Sequence, residues 1–213
     1  MKTPKLALIM IFFQLVLRVD QSEAQVSDFH EAVKKTGIQF TPPEGFATVP
    51  VIENTQMSYS IAYKDTVADI EVRYRIDLID TLALQMEKKR IDSLNASGGG
   101  KGTILDPNDI HTAYTIFLAV LSNVSDRSVQ IPELAKRVMS PRPDEVKRDF
   151  NGDWALVSMV TPGSTFAGDN KTCVVSYLHQ DNVANVWSFI LFKDREAFMQ
   201  KGREITSALK FKE

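Results

Sequence analysis

Two stretches of the chain alternate apolar and polar residues with a period of two. Over 57–63, Met57, Tyr59, Ile61 and Tyr63 fall on one side, and Ser58, Ser60 and Ala62 on the other. Over 69–77, Ile70, Val72, Tyr74 and Ile76 oppose Asp69, Glu71, Arg73, Arg75 and Asp77. Side chains alternate across a strand, so the pattern predicts two half-buried strands, with a wet outer face. The short link Lys64-Asp65-Thr66-Val67-Ala68 predicts that they form a hairpin.

Elsewhere the period lengthens. Val26, Phe29 and Val33 have helical spacing and Gly37 follows, which predicts a short helix over 25–36. Residues 38–46 then read as a short strand interrupted by Pro42 and Pro43. Helix formers dominate 80–94, and the run stops at Ser97-Gly98-Gly99-Gly100. Asp106-Pro107-Asn108-Asp109 predicts the cap of a second helix, running to about Ser122, with Ile110, Tyr114, Phe117, Leu118 and Leu121 as its apolar stripe. Pro132, Pro141 and Pro143 leave room for one or two helical turns in the following segment, 144–150 being one.

The last third carries the strongest signal. Trp154–Thr161, Cys173–Gln180 and Val183–Phe192 read as strands, the last two joined by a tight turn at Asp181-Asn182. In the final strand Trp187, Phe189 and Leu191 share one face, and Val186, Ile190 and Phe192 the other. A strand apolar on both faces must be covered on both. Residues 195–210 predict a closing helix with Phe198, Ile205 and Leu209 aligned, and with Gly202 allowing close approach to the sheet. The expected fold is α+β: a three-layer α/β/α sandwich with a central, mainly antiparallel sheet.

The N-terminus changes the picture of where this body works. Lys2 and Lys5 precede the apolar run Leu6–Leu17, and Ser22-Glu23-Ala24 offers small residues for cleavage. That arrangement predicts a signal peptide over 1–24 and a periplasmic or secreted chain over 25–213 that forms one domain, with a helical insertion at about 80–145. Loss of the leader removes three basic and two acidic groups, moving the formal charge from −2 to −3. A weakly acidic chain has no electrostatic footprint for nucleic acid. No other apolar stretch is long enough to span a membrane. Cys173 is the one cysteine, so no intrachain disulfide can form; its strand-like setting predicts a small buried residue.

The order of these pieces is similar to a known family. Phe40, Pro43, Gly45 and Phe46 form a Phe-x-x-Pro-x-Gly-Phe start, and Ile205-Thr206-Ser207-Ala208-Leu209-Lys210-Phe211 closes the chain after a final helix. With the antiparallel strands between them, these resemble PsbP-like domains over most of 38–211. The resemblance implies a binding or accessory role without catalysis. It transfers no functional residue, and the segment 80–145 departs from its minimal form.

Few residues invite chemistry. Gly98-Gly-Gly-Lys101-Gly-Thr103 lacks the adjacent lysine and hydroxyl of a phosphate loop and reads as a flexible link. Asp149, Asn151 and Asp153 occupy alternate positions like calcium ligands, but Trp154 and Val160 stand where a glycine and a glutamate are required; a turn into a strand fits better. Gly163-Ser164-Thr-Phe-Ala-Gly168 has the wrong spacing for a nucleophile elbow. His30, His111 and His179 are scattered, His179 being expected exposed at a strand end. The remaining candidates for a ligand or partner are Lys64, Glu71, Arg73 and Arg75, with helix 80–94 as an alternative cover that would bring Glu87 to the arginines. No cofactor is implied. The expected function is an exported, non-enzymatic binding or accessory protein for an unknown protein or small ligand. The alternative is a periplasmic hydrolase or carbohydrate-active enzyme using two carboxylates.

Overall fold

The computed structural model describes residues 26–97 and 104–212. The expected leader and the Gly98–Thr103 link lie outside the described residues. In chain order the elements are α1 (26–36), β1 (Gln39–Phe40), β2 (Ala47–Val49), β3 (Ile61–Asp65), β4 (Ile70–Leu78), α2 (Thr81–Ala96), α3 (Ile110–Val124), α4 (Ile131–Ala135), α5 (Pro143–Phe150), β5 (Trp154–Val160), α6 (Ser164–Ala167), β6 (Thr172–Gln180), β7 (Ala184–Phe192), α7 (Arg195–Thr206) and β8 (Leu209–Lys210).

The fold is α+β. Six strands form an antiparallel sheet in the order β2-β3-β4-β7-β6-β5, while β1 and β8 pair as a separate ribbon. Strand β7 is central, flanked along nine residues by β4 and by β6. Its alternation sends Trp187, Phe189 and Leu191 into one apolar cluster and Val186, Ile190 and Phe192 into another. The first cluster is completed by Ala113, Phe117 and Leu121 of α3, Leu134 of α4 and Phe166 of α6. The second is completed by Phe29 of α1, Ile205 of α7 and Leu209 of β8. Trp187 and Phe192 are 2% and 1% exposed, so the sheet is dry on both faces at its centre.

Local chemistry sets the element ends. Asp80, Asp109 and Asp194 cap α2, α3 and α7, each carboxylate accepting from a first-turn amide (Ala83, Thr112 and Glu196). Gly37, at φ +67°, stops α1, and Asn151, at φ 51°, stops α5. Asn182, at φ 61°, makes the turn into β7.

Several expectations shift. The alternation over 57–63 does not continue through one strand: Tyr59 packs with Ala62 in the first cluster, Ile61 and Tyr63 in the second. The chain bends at Ser60, and β3 begins only at Ile61. The buried stripe of α3 is Ala113, Phe117, Val120, Leu121 and Val124, while Ile110 is 39% exposed. The closing helix ends at Thr206, because Leu209 and Lys210 leave it to pair with Phe40 and Gln39. A Cβ at Gly202 would touch only the Phe198 ring of the same helix, so that glycine serves no close approach to the sheet. His179 is fully buried: its ring stacks on Trp154 at 4.3 Å, with Nδ1 2.7 Å from Asn185 Oδ1 and Nε2 2.8 Å from Asp181 Oδ1.

Candidate functional site

The face of β4 that carries Glu71, Arg73 and Arg75 is the face of the first cluster, and its residues divide there. Lys64 of β3 stands directly opposite Glu71 across the hairpin. The predicted wet face is interrupted by Arg73, which is only 4% exposed. Its guanidinium lies between two rings, with Cζ 4.6 Å from the Tyr59 centroid and 4.8 Å from that of Phe166. Aromatic faces attract a cation, and their bulk takes it out of water. Nε donates to Glu71 Oε1 at 2.6 Å and Nη1 to the Phe166 carbonyl at 2.5 Å. No acceptor among the described residues takes Nη2.

The positions of these rings follow from two loops. The bend at Ser60 turns Tyr59 toward the first cluster, and Tyr59 Oη accepts the Ile52 amide at 2.8 Å, tying down the β2–β3 connection. Burial pushes the Tyr59 hydroxyl above its ordinary range. On the other side, Gly163 donates its amide to Val124 at the end of α3, and a Cβ at Gly163 would lie 2.5 Å from Asp126 Cβ. Only glycine allows that approach, which seats α6 and with it Phe166.

Between these loops lies a polar cleft of about 240 Å³. Lys64, Glu71 and Arg73 line it together with Asn54, Ser164, Thr165, Asp169 and Asn170. Arg75 does not. Its Nε donates to Asp77 at 2.6 Å and its Nη1 to Ser58 at 2.7 Å, while Asp77 also accepts from the Trp187 indole. Nor does α2 supply a partner, since Glu87 pairs with Arg90 of its own helix.

The cleft is electrically balanced. Lys64 Nζ lies 2.9 Å from Asp69, and Lys193 bridges Asp69 at 2.8 Å and Asp169 at 2.6 Å. Lys193 and Lys64 hold the Asp69 carboxyl below the usual carboxylate range, and Lys193 does the same for Asp169. Three cations thus face three carboxylates, counting the Arg73–Glu71 pair. Such a cleft suits a group bearing both charges, or a neutral one rich in hydrogen-bonding atoms, rather than a bare anion.

The calcium-like trio does not converge. Asp149 pairs with Arg148 at 2.7 Å, Asn151 Nδ2 donates to the Lys212 carbonyl at 2.5 Å, and Asp153 accepts the Asp181 amide at 2.7 Å. The three side chains thus engage three different parts of the molecule: α5, the C-terminal segment and the β6–β7 turn. Among the described residues no group of three His, Cys, Asp or Glu side chains could hold a metal ion. Ser164 opens α6 and lines the cleft, but no histidine does. Cys173 is fully buried, and burial pushes its thiol far above the ordinary range. Among the described residues no helix is long and apolar enough to cross a membrane.

Asn54, Phe166 and Asp169 complete the cleft, with Tyr59 against Arg73, and no functional signal marked any of them in the sequence. They lie in connections whose placement depends on contacts made far along the chain. No family model matches the chain, and no curated protein matches it in sequence.

Proposed function

We propose that this chain is an exported, non-enzymatic binding or accessory protein of PsbP-like architecture, with the cleft beside Arg73 as its recognition site. The observation that carries this reading is the immobilised guanidinium: two of its nitrogens are fixed by Glu71 and the Phe166 carbonyl, and Arg73 lines the cleft. A fork held in advance loses little freedom when it meets a carboxylate. The neighbouring carboxylates Glu71 and Asp169 supply acceptors for an ammonium or hydroxyl on the same ligand. The favoured ligand is therefore a small zwitterion or a short polar segment of a partner protein.

The test is a titration with the zwitterionic dipeptide glycylglycine, with acetate as the bare-anion comparison, followed by amide NMR. The expected result is saturable shifts in residues 164–170 and in β4, weakened at least tenfold in Arg73→Lys. Absence of saturable shifts with glycylglycine, or acetate bound as tightly as the dipeptide, sinks the reading.

The hydrolase reading has two carboxylates in one cleft in its favour. A general acid must hold its proton near neutral pH. Lys193 acts on Asp169 in the opposite direction. Turnover of nitrophenyl esters or glycosides that disappears in Glu71→Gln would restore the enzymatic reading.

A further inference from the structure

The opposite face of the sheet holds a second cavity, and its floor is chemically odd. Ser176 of β6 and Ser188 of β7 are direct cross-strand partners in the middle of the sheet. Val157 of β5 flanks the pair on one side and Tyr74 of β4 on the other. Along the same face the neighbouring positions are Val174, Leu178, Val186 and Ile190. A stable central strand fills such positions with branched apolar side chains, which pack well on the pleat. Two serines here leave a hollow of about 110 Å³, roofed by Phe150, Ile205 and Leu209.

Neither serine hydroxyl has a hydrogen-bond partner among the described residues. Both serines are part-exposed on the floor of the hollow, so their hydroxyls are open to water or to a ligand that enters it. No charged side chain lines the cavity. An ionised ligand would enter it without a counter-charge, which excludes carboxylates and ammonium groups.

We propose that this cavity binds a neutral amphiphile, an alcohol-like molecule whose hydroxyl is held by Ser176 and Ser188 and whose chain lies against the aliphatic walls. A cavity of about 150 Å³ accommodates benzene, so the hollow of about 110 Å³ encloses about four heavy atoms, the hydroxyl and the first carbons, with the rest of the chain at its open side. The site lies on the face opposite the Arg73 cleft, so the fate of either reading leaves the other untouched.

The experiment titrates the full chain, as purified, with 1-hexanol and separately with benzene, following backbone amides by NMR. Hexanol is expected to give saturable shifts confined to β5, β6, β7 and the last turn of α7, with half-saturation on the order of 1 mM, as its size allows. The double variant Ser176→Ala, Ser188→Ala should weaken hexanol at least fivefold while leaving benzene within twofold. Ser188→Leu, checked for folding by the same spectra, should abolish binding of both by filling the hollow. Three results would each overturn the proposal: no saturable shift in β6 and β7 with hexanol; hexanol bound equally well by the double alanine variant; or benzene bound where hexanol is not.

Discussion

Arg73 concentrates the risk in this structure. A buried guanidinium is tolerated because Glu71, the Phe166 carbonyl and two aromatic faces surround it. Its removal leaves the Glu71 carboxylate, 15% exposed, without its counter-charge and leaves Tyr59 and Phe166 facing a gap. Arg73→Ala is expected to cost about 3 kcal/mol, the scale for breaking one side of a buried pair. Urea unfolding monitored by Trp fluorescence checks this; a loss below about 1 kcal/mol would mean the pair is solvated. Cys173 makes a simpler residue-scale case. Fully buried and held as the thiol, it should resist an aromatic disulfide reagent in the native protein and react at once in denaturant. Arg73, Cys173 and His179 differ in how far they could be read in advance. The apolar run around Cys173 announced its burial. The rings that cover Arg73 (Tyr59 and Phe166) and His179 (Trp154) come from other strands and loops, so neither burial could be foreseen from its own neighbours.

At the scale of elements, α2 and α3 are opposites although both are capped by aspartate. Helix α2 has no buried residue, and Leu82 and Met86 are 67% and 64% exposed. Helix α3 buries Ala113, Phe117, Val120, Leu121 and Val124 in the first cluster. Phe117→Ala should therefore cost about 3–5 kcal/mol, whereas Leu82→Ser or Met86→Ser should stay within about 0.5 kcal/mol. Hydrogen exchange provides an independent check: amides of α2 should exchange well before those of α3. Equal protection would show that α2 is packed more firmly than its exposure indicates. The strands were legible because two-residue alternation survives wherever one continuous strand spans it, as in β4, β6 and β7. It failed where the backbone bends at Ser60 and where two residues near the C-terminus pair with β1. Only the partner strand decides such a two-residue ribbon.

For the whole molecule, acid is the informative stress. Asp65 is held low by the Ala68 and Val67 amides, Asp69 by Lys193 and Lys64, and Asp169 by Lys193. Each carboxyl titrates lower when folded than its unfolded value of about 3.9. The folded state therefore binds fewer protons, and the stability these groups contribute is present above pH about 4 and lost as pH falls through the lower folded values. The urea midpoint should be flat between pH 7 and about 5 and drop below about pH 4. A midpoint unchanged down to about pH 2 would show that these ion pairs contribute nothing.

The sequence by itself determined the α+β class, the course of the main strands and the two-sided burial of β7, because hydrophobic period and turn chemistry are local properties of a chain. It also placed Glu71 and Arg73 on one face of a strand and Lys64 on the neighbouring one. Only the tertiary structure decided that Arg73 is buried, that Arg75 belongs to Asp77 and Ser58, and that α6 brings Phe166 and Asp169 to the same cleft. The burial of Arg73 depends on Phe166, 93 positions away, being held within hydrogen-bond reach, and no pattern along one stretch of chain encodes that distance.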